Sequence, residues 1–486
     1  MPNHSLLEEI KSKKIKFNGV SSDSRSIKKG NIFFAIPGNE IDGSRFINQA
    51  IKKGAAAIVV PSYSKKRYPK NTTVIKAKDI RKSLSLLAFE INKNNIETKI
   101  AITGTNGKTS VAYFLSYLLR ISGKSVATIG TLGNSVLKRN KYNLTSPEPI
   151  DLSKQLKKIG QKKIKYLVME ASSHGLHQSR FYGMNFDVCA LTNISHDHLD
   201  YHKTINNYIK SKMILFKDYI HKDSKLIINS KTKYIKKIRS ILKKNKSVKP
   251  LYFQANRDYK IIKILKKNDI QHVKAIVGSK RILLKFKNFP NFQIENFIFA
   301  ISILNLIGFD PRKLSKSSLN CPSVLGRMEY VGRTKTGGKV YVDFAHTPDA
   351  LKNSIVESKK LETSNVHVLF GCGGNRDRKK RPLMGKIASK YADKATVTDD
   401  NPRYENPARI REEVIGNLKN ISEIGNRKLA IKKAISELKR GDLLLIAGKG
   451  HEKFQSIMGK KFPFDDVKIA EKYLQKKWKN SLQLLK

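Results

Sequence analysis

The sequence predicts an α/β chain built as three domains, and three observations carry that expectation. Its 486 residues exceed what one ordinary core accommodates. Strand-like apolar runs alternate with helical patterns over most of the length, the rhythm of sheets covered by helices. The polar and glycine-rich stretches fall where the apolar runs end, which is where open α/β sheets gather their ligands. The expected segments are 1–92, 93–330 and 331–486.

The first segment holds SSDSRSIKKGNIFFAIPG, then Asp42-Gly43, a helical run from Phe46 to Lys53 and a strand-like run from Ala55 to Val60. That composition predicts a small α/β unit. In Ser22-Asp23-Ser24-Arg25 the hydroxyls and the guanidinium fork could hold a phosphate or nucleotide. On the residues alone, a turn rich in cap formers explains the stretch better.

The second segment opens with a strand-like run, Lys99 to Ile102, that feeds Thr103-Gly104-Thr105-Asn106-Gly107-Lys108-Thr109-Ser110 and then a helical pattern from Ser110 to Ile121. This is a phosphate cradle: glycines turn backbone N–H groups toward an anion, the helix adds its positive end, and Lys108 reaches outer phosphates. Thr109 would hold Mg²⁺. Gly104 and Gly107 stand closer together than the glycines of the common form. SVATIGT, KYLVMEAS, FDVCALTN and SKLIINS supply the further strands of a P-loop-type, mainly parallel sheet. Glu170 ends one of these strands beside the loop and suits a hard cation, although a helix-capping acid would look the same. His196, His198 and His202 lack the cysteine or tight pair of a zinc site and read as a surface cluster. Asn296 could meet an adenine edge and Arg327 a phosphate; capping and surface roles explain them equally well.

The third segment predicts a Rossmann-like α/β domain with strands KVYVDFA, NVHVLFGCGG, KATVTDD and DLLLIAGKG. Each runs into a polar or glycine-rich loop: Asp343 to Pro348, Gly373 to Asp377, Asp399 to Arg403, and Gly448 to Glu452. Four such loops on one sheet edge would make a site.

Ninety-six Lys and Arg against 39 Asp and Glu give a formal net charge of +57. Alone, that predicts nucleic acid or an anionic membrane as partner. The lysines are spread along the whole chain among abundant Ile and Asn, without interleaved aromatic residues or a nucleic-acid motif. A solvated basic surface is therefore expected, and no nucleic-acid partner. No run approaches the roughly 18 apolar residues of a membrane span, and the opening MPNHSLLEEIKSKK lacks the apolar core of a secretory signal. A cytoplasmic chain without a membrane partner is expected. Cys189, Cys321 and Cys372 stand too far apart in sequence to suggest a disulfide framework or structural zinc.

Taken in order, TGTNGKTS (103–110), EASSHGLHQSR (170–180), NISHDHLDYH (193–202), GRME (326–329), DFAHTPDA (343–350), GCGGNRDRKKRP (371–382), DNPR (400–403) and GKGHE (448–452) resemble the Mur ligases. The resemblance covers nearly the whole chain. It is strongest to the branch that adds meso-2,6-diaminopimelate to UDP-N-acetylmuramoyl-L-alanyl-D-glutamate. It implies an ADP-forming, ATP-dependent ligase that works through an acyl phosphate in peptidoglycan precursor synthesis, using Mg²⁺; a monomer is expected, although the sequence does not fix the oligomeric state. By resemblance the UDP-sugar is bound by Ser24, Arg25, Asp42, Gly43, Thr145, Ser146, Ser172, Gln178 and Arg180. ATP is bound by Gly104, Thr105, Asn106, Gly107, Lys108, Thr109, Asn296, Arg327 and Asp343. Diaminopimelate is bound by Arg376, Asp400, Asn401, Pro402, Arg403, Gly448 and Glu452. Metal falls to Thr109, Glu170, His198 and Lys212, the last as a carbamate; Lys108, His198 and Lys212 are the catalytic set. Gln293 departs from the family's Phe-Asn-x-x-Asn pattern. A lysine-adding Mur ligase or a ligase like folylpolyglutamate synthetase shares much of this pattern. A basic nucleic-acid-binding ATPase has only the charge behind it.

Overall fold

The computed structural model describes residues 4–38, 42–137, 144–195, 197–243, 248–267, 269–361 and 364–474. The chain divides into two compact units. One comprises Met1–Lys260, Ala275–Ile282 and Ile298–Leu314; the other comprises Ile261–Lys274, Leu283–Phe297 and Ser315–Lys486.

The first unit opens on a four-stranded parallel sheet, β1 (Gly19–Ser21), β2 (Asn31–Phe34), β3 (Ala57–Pro61) and β4 (Val74–Ala77), in that spatial order. Side chains alternate across a strand, so a continuous apolar run such as Ile32-Phe33-Phe34 demands cover on both faces. Ile32 and Phe34 pack with Leu84, Leu87 and Ala88 of the helix Ile80–Ile91. Phe33, Ile58 and Val60 pack with Ile47 and Ala50 of the helix Ile47–Lys52. Each buried Ile, Leu, Val or Phe side chain among these stabilises the unit by about 1.5–3 kcal/mol.

A seven-stranded sheet follows, made of β5 (Thr98–Thr103), β6 (Val126–Gly130), β7 (Gly133–Asn134), β8 (Tyr166–Glu170), β9 (Phe186–Leu191), β10 (Ile220–Asn229) and β11 (Leu251–Phe253). Its order is β11-β10-β9-β5-β8-β6-β7, parallel except for the β6–β7 pair. Strand β5 lies between β8 and β9, so the chain leaves it to both sides and the loop after it opens at a topological switch point. The helix Lys108–Ile121 buries Val111, Phe114, Leu115 and Leu118, one face at helical spacing, and packs on β6 and β8. It starts two residues before the expected Ser110 because Gly107, at φ 84°, already turns the chain into it.

Strands β12 (Tyr259–Lys267), β13 (Ile270–Val277) and β14 (Lys280–Lys287) form a three-stranded sheet. On β14 the exposed Lys285 and Lys287 alternate with buried Leu284 and Phe286, one face solvated and the other apolar.

The second unit is dominated by β15 (Glu329–Arg333), β16 (Lys339–Asp343), β17 (Val366–Phe370), β18 (Lys394–Val397), β19 (Ile421–Glu423) and β20 (Leu443–Ala447), ordered β15-β16-β20-β17-β18-β19. Glu329 and Tyr330 thus sit on a strand of this sheet. Only β15 is antiparallel to its neighbour. The carboxyl ends of β16, β20, β17 and β18 therefore share one edge, and the four polar loops emerge together. A hairpin of β21 (Phe454–Ile457) and β22 (Lys460–Pro463) follows the loop after β20. All three cysteines are free and buried, and no described helix is long and apolar enough to cross a membrane.

Candidate active site

The glycine loop is knitted to the end of β9. Thr105 N donates to Asn193 O, the Asn193 amide holds both Asn106 N and Asn106 O at 3.0 Å, and Thr192 Oγ1 donates to Asn106 O at 2.6 Å. A β-carbon on Gly104, whose φ is 151°, would run into Thr192 and the Asn193 backbone, so only glycine permits this approach. Lys108 Nζ donates to Gly104 O and Thr105 O, both at 2.8 Å. At the foot of the helix Thr109 Oγ1 donates to Glu170 Oε2 at 2.9 Å, and Glu170 also accepts from Thr131 N and Thr131 Oγ1. Gly130 leaves room for that carboxylate: a β-carbon there would lie 2.7 Å from Glu170 Cγ. Hydroxyl and carboxylate oxygens of this kind suit a hard cation.

Lys212 is buried, and its Nζ donates to the same Gly104 O at 2.8 Å while lying over the Tyr208 ring. Burial, reinforced by the nearby Lys108 charge, holds its amine well below the ordinary lysine range. The rings of His198 and His202 stand 4.9 and 5.4 Å from that of His174. Burial, then mutual repulsion, pushes His174 and His202 down to about 4, so both are neutral near pH 7. His202 spends both nitrogens on Ser173 and Ser211. His196 lies outside the described residues, and among the described residues no three His, Cys, Asp or Glu side chains are placed to hold a metal.

Four of the expected sugar-nucleotide residues meet in the first unit. Ser146 Oγ donates to Glu170 O and accepts from Ser172 N; Arg180 donates to Ser146 O and Gln178 Oε1 and pairs with Glu148 at 2.8 Å. Thr145 touches Thr131 through their hydroxyls. Ser24 donates to Gln49, the Arg25 guanidinium lies on Asp23, and Asp42 caps the turn Gly43–Phe46 through Ser44.

In the second unit Asp343, at the end of β16, accepts from Met328 N, Ala345 N and Ser354 Oγ; burial raises its carboxyl despite Arg327 nearby. Arg327 lies over the Phe344 ring, its carbonyl accepts from Gln293 Nε2, and Asn296 reaches Gln293 Oε1 at 3.5 Å. Gln293 therefore joins Asn296 to the Arg327 carbonyl.

The loops after β18 and β20 meet at Asn401, whose Nδ2 donates to Glu452 Oε2 at 2.8 Å and whose Oδ1 accepts from Ser456 N. Asp400 packs so closely on Gly448 that a β-carbon there would stand 2.9 Å from Asp400 Oδ2. Arg403, at φ 53°, donates to Gly374 O at 2.7 Å and has no carboxylate partner among the described residues. Glu405 instead accepts from Arg378 and Arg381. Burial and then the charge of Arg376 lower Arg403, while the carboxylates of Asp400 and Glu452 act in the opposite direction without bonding to it.

Comparison with known proteins now bears on this arrangement. Residues 16–97, 102–304 and 326–450 match the models of the Mur ligase family catalytic domain, the Mur ligase middle domain and the Mur ligase glutamate ligase domain. The chain belongs to the Mur ligase family. It is 39% identical over 463 residues, 93% of this chain and 94% of the relative, to UDP-N-acetylmuramoyl-L-alanyl-D-glutamate–2,6-diaminopimelate ligase of Rickettsia bellii. It is 37% identical to the Rhizobium meliloti protein of the same name, with 95% and 94% covered. A solved structure titled as that ligase matches with a TM-score of 0.68 at 29% identity, covering 94% of each chain.

Sequence reasoning missed several polar partners in this Mur ligase: Thr131 on Glu170, Asn193 on the glycine loop, Glu148 on Arg180, and Lys449 with Ser456 around Asn401. Asn193 and Lys449 lie inside motifs that were singled out, so their types were visible. Their partners were not, because the contacts join positions tens of residues apart without any periodic signature.

Proposed function

We propose that this chain joins meso-2,6-diaminopimelate to UDP-N-acetylmuramoyl-L-alanyl-D-glutamate, forming an amide at the expense of ATP. The observation that carries the choice of amino acid is Arg403, a partly buried guanidinium without a carboxylate partner among the described residues, in a chain whose relatives are named for 2,6-diaminopimelate. In this reading 1–92 holds the sugar nucleotide, 93–330 the ATP and 331–486 the incoming amino acid.

A carboxylate does not react with an amine in water until one oxygen becomes a leaving group. Lys108 and the N–H groups of the glycine loop hold the ATP phosphates while the glutamyl carboxylate of the substrate attacks the γ-phosphorus, giving an acyl phosphate and ADP. The amine of diaminopimelate then attacks the acyl carbon, and phosphate departs. Arg403 and Arg376 hold carboxylate, and Glu452 meets the ammonium. Burial and the like charge of Lys108 favour the neutral amine of Lys212, the form that adds CO₂: the nitrogen bonds carbon and releases a proton, leaving a carbamate. Thr109 and Glu170 would hold one Mg²⁺, and His198 with the Lys212 carbamate a second. Bound there, the metal would offset charge on the transferring phosphoryl group. Asn296, Arg327 and Asp343 are further ATP-binding residues in this reading, and Ser24, Arg25, Asp42, Gly43, Thr145, Ser146, Ser172, Gln178 and Arg180 bind the sugar nucleotide. The reading takes the protein as a cytoplasmic monomer with small-molecule partners, using neither nucleic acid nor membrane.

The test is phosphate release from ATP with UDP-N-acetylmuramoyl-L-Ala-D-Glu against a panel of amino acids. Release specific to meso-diaminopimelate is expected. Preference for lysine, or release that depends on a polynucleotide and not on the sugar dipeptide, would overturn the reading.

A further inference from the structure

Among the described lysines only two are buried, Lys212 and Lys449. Burying an ammonium is expensive unless every donor finds an acceptor. Lys449, with no exposed side-chain surface, meets that condition: Nζ donates to Phe454 O at 2.6 Å, Asn401 Oδ1 at 3.2 Å and Glu452 Oε2 at 3.2 Å. Those acceptors come from the hairpin after β20, the loop after β18 and the turn after β20. Three separate segments therefore share one charge.

The contacts also fix which atoms face outward. Lys449 Nζ and Ser456 N are both donors, so they hold the Asn401 oxygen toward them and turn Asn401 Nδ2 onto Glu452. Glu452 Oε2 is thereby used twice, by Asn401 and by Lys449. Oε1 keeps no hydrogen-bond partner among the described residues, on a side chain that is 27% exposed. We propose that Lys449 is a positioning residue for the amino-acid substrate: by occupying Oε2 and fixing the Asn401 amide, it leaves Glu452 Oε1 as the acceptor for the incoming ammonium. This rests on the ligase reading above.

The experiment measures KM for diaminopimelate, ATP and the UDP-sugar dipeptide in the full chain as wild type, Lys449→Met, Glu452→Gln and the double variant. Lys449→Met is expected to raise KM for diaminopimelate roughly ten- to hundred-fold and to leave the other two within about two-fold. The double variant should match Glu452→Gln alone, because Lys449 acts through that carboxylate. If Lys449→Met does not fold, Lys449→Gln, which keeps a donor for Phe454 O, is read in the same way. An unchanged KM, a parallel rise in all three, or additive effects in the double variant overturns the proposal. A wild-type chain that releases phosphate with no amino acid overturns the ligase reading, and this proposal with it.

Discussion

Replacing Arg403 by alanine is expected to lower kcat/KM for meso-diaminopimelate by tens- to thousands-fold while changing any use of lysine only a few-fold. Diaminopimelate differs from lysine by a second carboxylate at its far end, so a selective pocket needs a fixed cation that lysine leaves unmatched. Arg403 meets that requirement on three counts. Its guanidinium is anchored by one bond to Gly374 O, its backbone is pinned by Arg403 N to Ser456 O and Met458 N to Arg403 O, and Glu405 is committed to Arg378 and Arg381. The planar fork thus retains donors for a carboxylate.

Losing a charge-assisted contact to a desolvated carboxylate costs about 2–5 kcal/mol, and each 1.4 kcal/mol is about tenfold, which gives the range stated. The assay is phosphate release at varied diaminopimelate and lysine, with a urea unfolding curve beside it. Alanine also removes the bond to Gly374 O, and a general loosening would appear in both measurements. Arg403→Lys keeps the charge without the fork and should fall between wild type and alanine. Equal losses for both amino acids in a variant that still folds would refute the assignment of Arg403 to the second carboxylate.

Lys212→Ala should abolish turnover and regain part of it in added short-chain carboxylic acid, and a ¹³C carbamate resonance from labelled bicarbonate should vanish with the amine; a fully active variant removes this role. Hydrogen bonds from Arg381 hold the Glu405 carboxyl at about 2, below its ordinary 4.5, so its contribution to stability is complete above pH 4.5 and lost as pH falls toward 2. The stability gap between wild type and Glu405→Gln should therefore narrow across that window in urea titrations, and a gap independent of pH would contradict the pairing. Asp466→Asn leaves the buried Arg427 guanidinium, bonded at 2.8 and 2.7 Å in the wild type, without its counter-charge, and should cost about 3–5 kcal/mol in the same titrations. A loss under about 1 kcal/mol would show that the bond to Ala447 O suffices to hold Arg427 without the carboxylate.

What the sequence made legible was governed by local rules. The run Ile100-Ala101-Ile102 ahead of a glycine turn and a helical stripe placed the phosphate loop, and four apolar runs with polar ends placed the loops of the second unit on one edge. Thr109 and Glu170 were nameable because hydroxyl and carboxylate chemistry beside a phosphate loop is specific. The illegible part is long-range. Thr109 reaches Glu170 across 61 positions, Thr105 reaches Ser195 across 90, and Lys212 reaches Gly104 across 108. Such pairs depend on strand order, β9-β5-β8, which no periodicity encodes. Gln293 shows the same limit: its type marked a departure, and only the fold shows its amide on the Arg327 carbonyl.

The charge of the chain illustrates how the two kinds of information combine. With 96 basic side chains, composition gives no reason to single out any lysine, and exposed ones accumulate at little energetic cost. Burial imposes a much steeper condition, because an ammonium without converging acceptors would destabilise its surroundings by several kcal/mol. Lys212 and Lys449 satisfy it in different ways. Lys449 is matched by a carboxylate and two further oxygens, and serves as a brace between three segments. Lys212 has Gly104 O and the Tyr208 ring close by, and burial with the like charge of Lys108 shifts its amine toward the neutral form. The surroundings of the amine, more than its residue type, separate the carbamate assigned to one from the positioning role assigned to the other.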